Sequence, residues 1–402
     1  MRLRHRDGQT VHLSYCTNVH AAEDIDGIIA QLDTYAVPIR ERLRTDVLGL
    51  GLWIAAPAAA ELARDPRRLS EALAARNCEV VTLNGFPYAA FQQAVVKGAV
   101  YEPDWTTPER LEYTLNLARI LAAIMPDDAD RGSISTLPLA WREPWTREMH
   151  DASNRNLEAL SAALRKLDKT IRVAFEPEPG CIVENTAQAA EMLSGFDGIG
   201  VCLDLAHLAC AWEKPAEAIK RLTDAGVPIV KTQVSAALAS DDPTRDRQVL
   251  MEYVEPRFLH QTRSREGLST DDLDEALATG GQTPWRIHYH VPIHAEPVPP
   301  LRATTDVLRD ALKELVGGPT ALCDHLDVET YTWGVLPPAS RPDGPAQLAD
   351  GIAAELAWTE QVTAGSTGVS GTHGPTLRSR GMCSSRRGVR PTTSRTSSGF
   401  TA

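Results

Sequence analysis

The feature that most constrains this chain is a repeated alternation of short apolar runs with segments of helical spacing. Apolar runs lie at 12–20, 48–54, 79–84, 132–137, 171–176, 198–204, 227–234 and 320–329. Helical patterns lie between or after them at 22–44, 58–76, 145–168, 186–195, 215–225, 304–315 and 345–362. Another follows Thr107-Pro108-Glu109, a cap residue with proline at the first helical position. Pro38 is expected to kink or split the first helical segment. The runs show little polar alternation, as strands buried on both faces do. Strand and helix taking turns in this way predict a parallel sheet covered by helices. Eight such units in about 360 residues fit a closed (β/α)8 barrel, a TIM barrel; an open doubly wound sheet is the alternative. A ninth run, 286–291, interrupts the rhythm after a stretch, 235–285, with two helical patches near 242–254 and 270–278. It is assigned to an elaborated loop after the seventh strand.

The barrel occupies 1–363 in this reading. From 364 to 402 Gly, Ser, Thr and Arg dominate and no period is visible, so a disordered tail is expected. Residues 365–402 hold six Arg and no acidic residue. The rest therefore carries 35 Lys and Arg against 53 Asp and Glu, a formal charge of −18. So acidic a body argues against nucleic acid and against anionic membrane surfaces. Seven Cys are scattered singly without a C-x-x-C pair, as in reduced cytosolic proteins. The N-terminus carries no apolar signal segment, and the longest apolar run, 47–60, is too short to span a bilayer and includes Pro57. A cytoplasmic protein with no direct membrane insertion is expected.

Chemistry in such a barrel sits where the strands end. The fifth strand ends on Glu176-Pro-Glu178, the sixth on Asp204-x-x-His207, and the seventh presents Gln233. The elaborated loop brings His288-Tyr-His290, and the last strand ends His325-Leu-Asp327-Val-Glu329, followed by Tyr331 and Trp333. Each has a plainer role available. Asp204 suits a helix cap, Glu178 a turn, Asp327 an ion pair with a neighbouring Lys or Arg, and Tyr331 and Trp333 rim packing. Taken together, charged ends of several apolar strands would be desolvated side by side, which is costly without compensation. A divalent cation supplies it. Glu176, Asp204, Gln233, His290 and Glu329 offer oxygen and imidazole ligands suited to Mn²⁺, Mg²⁺, Co²⁺ or Zn²⁺. The stretch 235–285, with Arg257, His260 and Gln261, is a candidate lid.

These strand ends resemble those of the xylose isomerase-like TIM barrels, which include sugar isomerases, epimerases and the endonuclease IV group. More narrowly, Leu13-Ser-Tyr-Cys-Thr-Asn-Val-His20, Phe175-Glu-Pro-Glu-Pro-Gly-Cys181, Cys202-Leu-Asp-Leu-Ala-His207, Glu255-Pro-Arg-Phe-Leu-His-Gln261, His288-Tyr-His-Val-Pro-Ile293 and Leu326-Asp-Val-Glu-Thr-Tyr-Thr-Trp333 resemble the EboE-like metabolite traffic proteins of bacterial ebo clusters. The resemblance implies metal ligands at Glu176, Asp204 and Glu329, with His207 at the substrate or a second metal. The superfamily usually has His where this chain has Gln233, and His290 is the candidate replacement. Glu176, Glu329 and His207 are the implied catalytic residues, and Glu178, His288, His260 and Trp333 the expected substrate contacts. The implied activity is a metal-dependent, proton-moving isomerase or epimerase on a small polyol or carbonyl metabolite, in the sugar or sugar-phosphate class. The EboE-like resemblance implies a part in export of a secondary-metabolite precursor, with other ebo-cluster proteins, including a membrane component, as partners. The alternatives are a metabolite-binding protein without turnover and an endonuclease IV-like hydrolase, the latter disfavoured by the charge of −18.

Overall fold

Eight parallel strands close on themselves in the computed structural model, which describes residues 1–367 and 370–371. They are β1 (Thr10–Cys16), β2 (Leu48–Trp53), β3 (Cys78–Asn84), β4 (Gly132–Thr136), β5 (Ile171–Phe175), β6 (Ile199–Asp204), β7 (Ile229–Val234) and β8 (His325–Val328). Each pairs with the next, and β8 returns to β1 with His325 opposite His12 and Asp327 opposite Ser14. That closing pair excludes the open sheet, which would leave both strands as edges.

The helices bury one apolar stripe each against this barrel. Arg147–Leu164 starts at Thr146, whose hydroxyl accepts from the Met149 N–H, and turns Leu157, Leu160 and Leu164 inward. Spaced three and four apart, these leucines share one face and contribute roughly 2 kcal/mol each by burial. Pro108 occupies the first turn of Pro108–Ile124 as expected, but the Thr107 hydroxyl donates to the Asp104 carbonyl instead of capping the helix. The first helical segment divides into Ile25–Gln31 and Val37–Leu43 around a π-helical turn, Leu32–Ala36. Pro38 lies in the first turn of the second piece.

After β7 the chain builds a second, antiparallel sheet. Its strands run in the order Ser269–Thr270, Thr262–Ser264, Trp285–His290, Ala237–Ser240 and Arg302–Ala303. The run expected at 286–291 is the central strand of this sheet and lies outside the barrel. The helical patches are Pro243–Leu250 and Leu273–Thr279.

The barrel lumen is polar. Lys231 on β7 reaches Asp327 on β8 at 2.8 Å and Ser135 on β4 at 3.3 Å. Because β4 and β7 are not neighbours, that last contact crosses the lumen. Ser14 donates to Asp327 at 2.6 Å, and Ser133 lies 2.7 Å from His325 Nδ1. The last helix runs Pro345–Thr367, and Ser370–Gly371 pairs with Arg2–Arg4, so regular structure continues past residue 363. The remainder of the tail expected to be disordered lies outside the described residues. Among the described residues, no helix is long and apolar enough to cross a membrane, and the six Cys are free and buried.

Candidate metal and substrate site

Three strand ends and one strand of the second sheet converge above the barrel. Asp204 closes β6 and caps the helix Leu205–Cys210, its Oδ1 accepting from the His207 N–H at 2.9 Å and from Ser235 Oγ at 2.8 Å. The plain reading therefore holds for one oxygen, which caps the helix, while Oδ2 is buried without a hydrogen-bond partner. Glu329 follows β8, and its Oε1 accepts from Asn18 Nδ2 at 2.8 Å and Asn84 Nδ2 at 3.0 Å. The Phe86 N–H donates to Asn84 Oδ1, which turns the NH₂ of that amide to Glu329. Glu176 follows β5 and is tied by its backbone N–H to the Thr136 carbonyl.

His290 ends Trp285–His290. Its Nδ1 donates to the Glu329 carbonyl at 2.9 Å, so its Nε2 is the bare nitrogen, 3.8 Å from Asp204 Oδ2. A ring held through one nitrogen with the other free is how proteins present imidazole to a metal. Candidate ligand atoms of Asp204, His290 and Glu329 lie within 4.8 Å of one another, as do those of Glu176, Asp204 and His207.

The donor set fits a divalent cation. Glu176 Oε2, Asp204 Oδ2, His290 Nε2 and both amide atoms of Gln233 are buried without a hydrogen-bond partner. Leaving so many buried polar atoms unmet is costly and rare. Most are acceptors, which a cation would satisfy. Gln233 lies on β7 opposite Asp204 in register. Burial pushes the Glu176 carboxyl well above the usual range, and the charges of Glu329, Asp204 and Glu178 add to it. Burial and Asp204 together push Glu329 up to about 8. A bound cation would relieve this crowding of carboxylates.

Beside this centre lies a histidine pair. His207 Nδ1 donates to the Pro177 carbonyl at 2.9 Å. His288 Nδ1 donates to Gln261 Oε1 at 2.7 Å, and that amide is oriented by its Nε2 donating to the Pro179 carbonyl. The two bare Nε2 atoms thus face each other at 2.8 Å, a juxtaposition that a shared proton or cation relieves. Burial pulls His207 down to about 4 and holds His288 well below the usual imidazole value. Glu178 Oε2 lies 3.2 Å from His207 Nε2, and Tyr101 donates to its Oε1 at 2.9 Å. Burial holds Glu178 well above the usual carboxylate range.

Above these groups is a cavity of about 50 Å³. Its floor holds Glu176, Glu178, His207, His288 and Glu329, and its walls include Phe86, Phe91, Val96, Phe258 and Tyr331. The cover comes from two sides. The Val96 and Lys97 N–H groups donate to the Arg257 carbonyl at 2.7 and 2.8 Å, and Lys97 Nζ pairs with Asp272. From the 235–285 excursion, expected as a lid, Phe258 and Leu259 line the cavity.

Of the sequence-predicted residues, Glu176, Glu178, Asp204, His207, His288, His290 and Glu329 are brought together. Gln233 is buried beside Asp204 in register. Two expected substrate contacts lie elsewhere. His260 has both ring nitrogens engaged, by the His288 carbonyl at 2.9 Å and Glu255 at 2.8 Å, and stacks on Tyr289. Trp333 packs against Gly351 and His294 and lines a separate cavity. Asn18, Asn84, Tyr101 and Phe91 were not predicted as site residues. Asn18 just after β1 and Asn84 at the end of β3 obey the same strand-end rule and were open to it. Tyr101 and Phe91, in a loop without a period, gave no signal.

The family model described as xylose isomerase-like TIM barrel matches residues 48–265. A comparison with curated proteins gives no match. Among solved structures, the chain is similar to a D-allulose 3-epimerase from Methylomonas sp. in complex with D-allulose, at 11% identity and TM-score 0.51, covering 90% of this chain and 99% of that one. It is also similar to the IolI protein with a binding zinc atom, at 15% identity and TM-score 0.48, covering 88% and 98%. At 11% identity the likeness to the epimerase is one of fold. With the family model spanning more than half its length, the chain belongs to the xylose isomerase-like TIM barrel family.

Proposed function

We propose that this protein is a divalent-metal-dependent isomerase or epimerase that moves a proton on a small carbonyl or polyol metabolite. The observation that carries this reading is the buried pair Glu176 and Glu329 flanking one cavity, beside ligand atoms that lack partners. A divalent cation held by Glu176, Asp204, His290 and Glu329, with Gln233 beside them, would polarise a carbonyl. Glu176 and Glu329 are the candidate proton carriers, one to remove a proton beside the carbonyl and one to return it. Asn18 and Asn84 hold Glu329 in one orientation. His207 and Glu178, 3.2 Å apart, can hold a proton at the substrate's hydroxyl end. The aromatic cover keeps bulk water from competing for it. That a D-allulose 3-epimerase shares the fold agrees with this chemistry.

The resemblance of several motifs to the EboE-like group is what supports a finer placement: a cytoplasmic step in the traffic of a secondary-metabolite precursor, with an ebo-cluster membrane component as partner. A second reading, a binding protein without turnover, draws on Gln233, a neutral amide where an imidazole would bind metal more strongly.

The test is to measure bound metal in the purified protein and in Asp204→Ala and Glu329→Ala variants. The metal-loaded protein is then incubated in D₂O with a panel of ketoses, aldoses and simple α-hydroxycarbonyl compounds. Deuterium appearing at the carbon beside the carbonyl, lost in Glu329→Ala, supports the enzyme. Metal binding without exchange selects the binding protein, and no metal binding sinks the metal-dependent enzyme and leaves the binding protein.

A further inference from the structure

We infer that the ligand of this site is a phosphate-free α-hydroxycarbonyl compound with an apolar body, rather than a sugar phosphate or a free sugar. The inference rests on the metal-and-carbonyl reading above and names its substrate class.

The first observation is charge. The floor carries Glu176, Glu178 and Glu329, with Asp204 directly behind. Among the lining residues the one ammonium or guanidinium is that of Lys97, and its Nζ is paired with Asp272. A phosphate dianion would meet no unpaired Arg or Lys among the lining residues, the groups that normally receive it.

The second observation is the division of polarity. Beyond Lys97 and two tyrosines, the hydrogen-bonding side chains that line the cavity are Asn18, Asn84 and the acids and histidines of the floor. The walls are Phe86, Phe91, Val96, Val100, Phe258 and Leu259. Phe91, Phe258 and Tyr331 meet with ring centroids 4.9 to 5.3 Å apart. The two tyrosine hydroxyls at the cavity are already engaged, Tyr101 by Glu178 and Gln261 and Tyr331 by His288. A free sugar carries a hydroxyl on nearly every carbon, and those reaching the walls would be desolvated without partners. A ligand with two or three oxygens at one end and carbon at the other leaves nothing unmet.

The test uses Mn²⁺-loaded protein and three probes in calorimetric titration: hydroxyacetone, 2-hydroxyacetophenone and dihydroxyacetone phosphate. The expected order places 2-hydroxyacetophenone about tenfold or more tighter than hydroxyacetone, from burial of its ring. Dihydroxyacetone phosphate should bind weakest. Phe258→Ala should erase the aromatic advantage and leave hydroxyacetone unchanged. Mn²⁺ alone is titrated first, with Asp204→Ala as control. Absence of Mn²⁺ binding overturns the underlying metal reading and this inference with it. Mn²⁺ binding with no preference for the aromatic probe, no binding of it, or a preference for the phosphate overturns this inference alone.

Discussion

Lys231 Nζ lies 2.8 Å from Asp327 Oδ2, and both side chains are wholly buried in the barrel lumen beneath the candidate site. Asp327 also accepts from Ser14 at 2.6 Å. Breaking a buried pair strands the remaining charge, which costs about 3–5 kcal/mol. Asp327→Asn should therefore lower stability by that order in urea unfolding. Lys231→Met with Asp327→Leu should cost less than the single change, because no charge is left alone.

The same carboxylate explains a glycine. A Cβ at Gly51 would sit 2.1 Å from Asp327 Oδ2, and that oxygen is pinned by Lys231. Gly51→Ala should destabilise by about 2 kcal/mol or more through overpacking, read as a lower urea midpoint with an unchanged slope.

Metal affinity should respond to the shell around the ligands. Asn84→Ala frees Glu329 to turn away and should weaken Zn²⁺ or Co²⁺ binding by about tenfold or more. Gln233→His adds an imidazole and should tighten it. Competitive calorimetry with a chelator reads both.

Lys97 ties the cover to Asp272. Lys97→Ala removes the ion pair with Asp272 and should loosen the Val96 and Lys97 amides from the Arg257 carbonyl. Faster hydrogen exchange at positions 96 and 97, with barrel strands unchanged, is the expected result.

Glu355 gives a pH dependence away from the metal centre. It is fully buried, accepting from the Ile293 N–H at 3.1 Å and from the Thr330 hydroxyl, and burial pushes it up to about 7 from 4.5. Between those values the unfolded chain releases the proton and the folded protein keeps it. Stability should therefore fall as pH rises through this window, by about 3 kcal/mol from this group. Glu355→Gln cannot ionise, so the difference between variant and parent should grow from pH 4.5 to pH 7 in chemical denaturation.

Much of the barrel was legible because a strand buried on both faces must be apolar, so any acid or amide at its end stands out. Glu176, Asp204 and Glu329 do stand at strand ends, and Asp327 does pair with a neighbouring cation, Lys231. His260 and Trp333 were misplaced because residue type cannot say which way a ring points. His260 uses both its nitrogens within the protein, and Trp333 turns towards Gly351.

The order of strands and helices and the residues ending each strand followed from the sequence alone, since periodicity and burial are local properties. Which groups meet was decided by tertiary structure. His290 joins Asp204 because the second sheet folds back over the barrel, and Gln261 orients His288 from the same excursion. The Phe91–Phe258 wall joins segments far apart in the chain. Such contacts depend on how long loops close, and no local pattern encodes that.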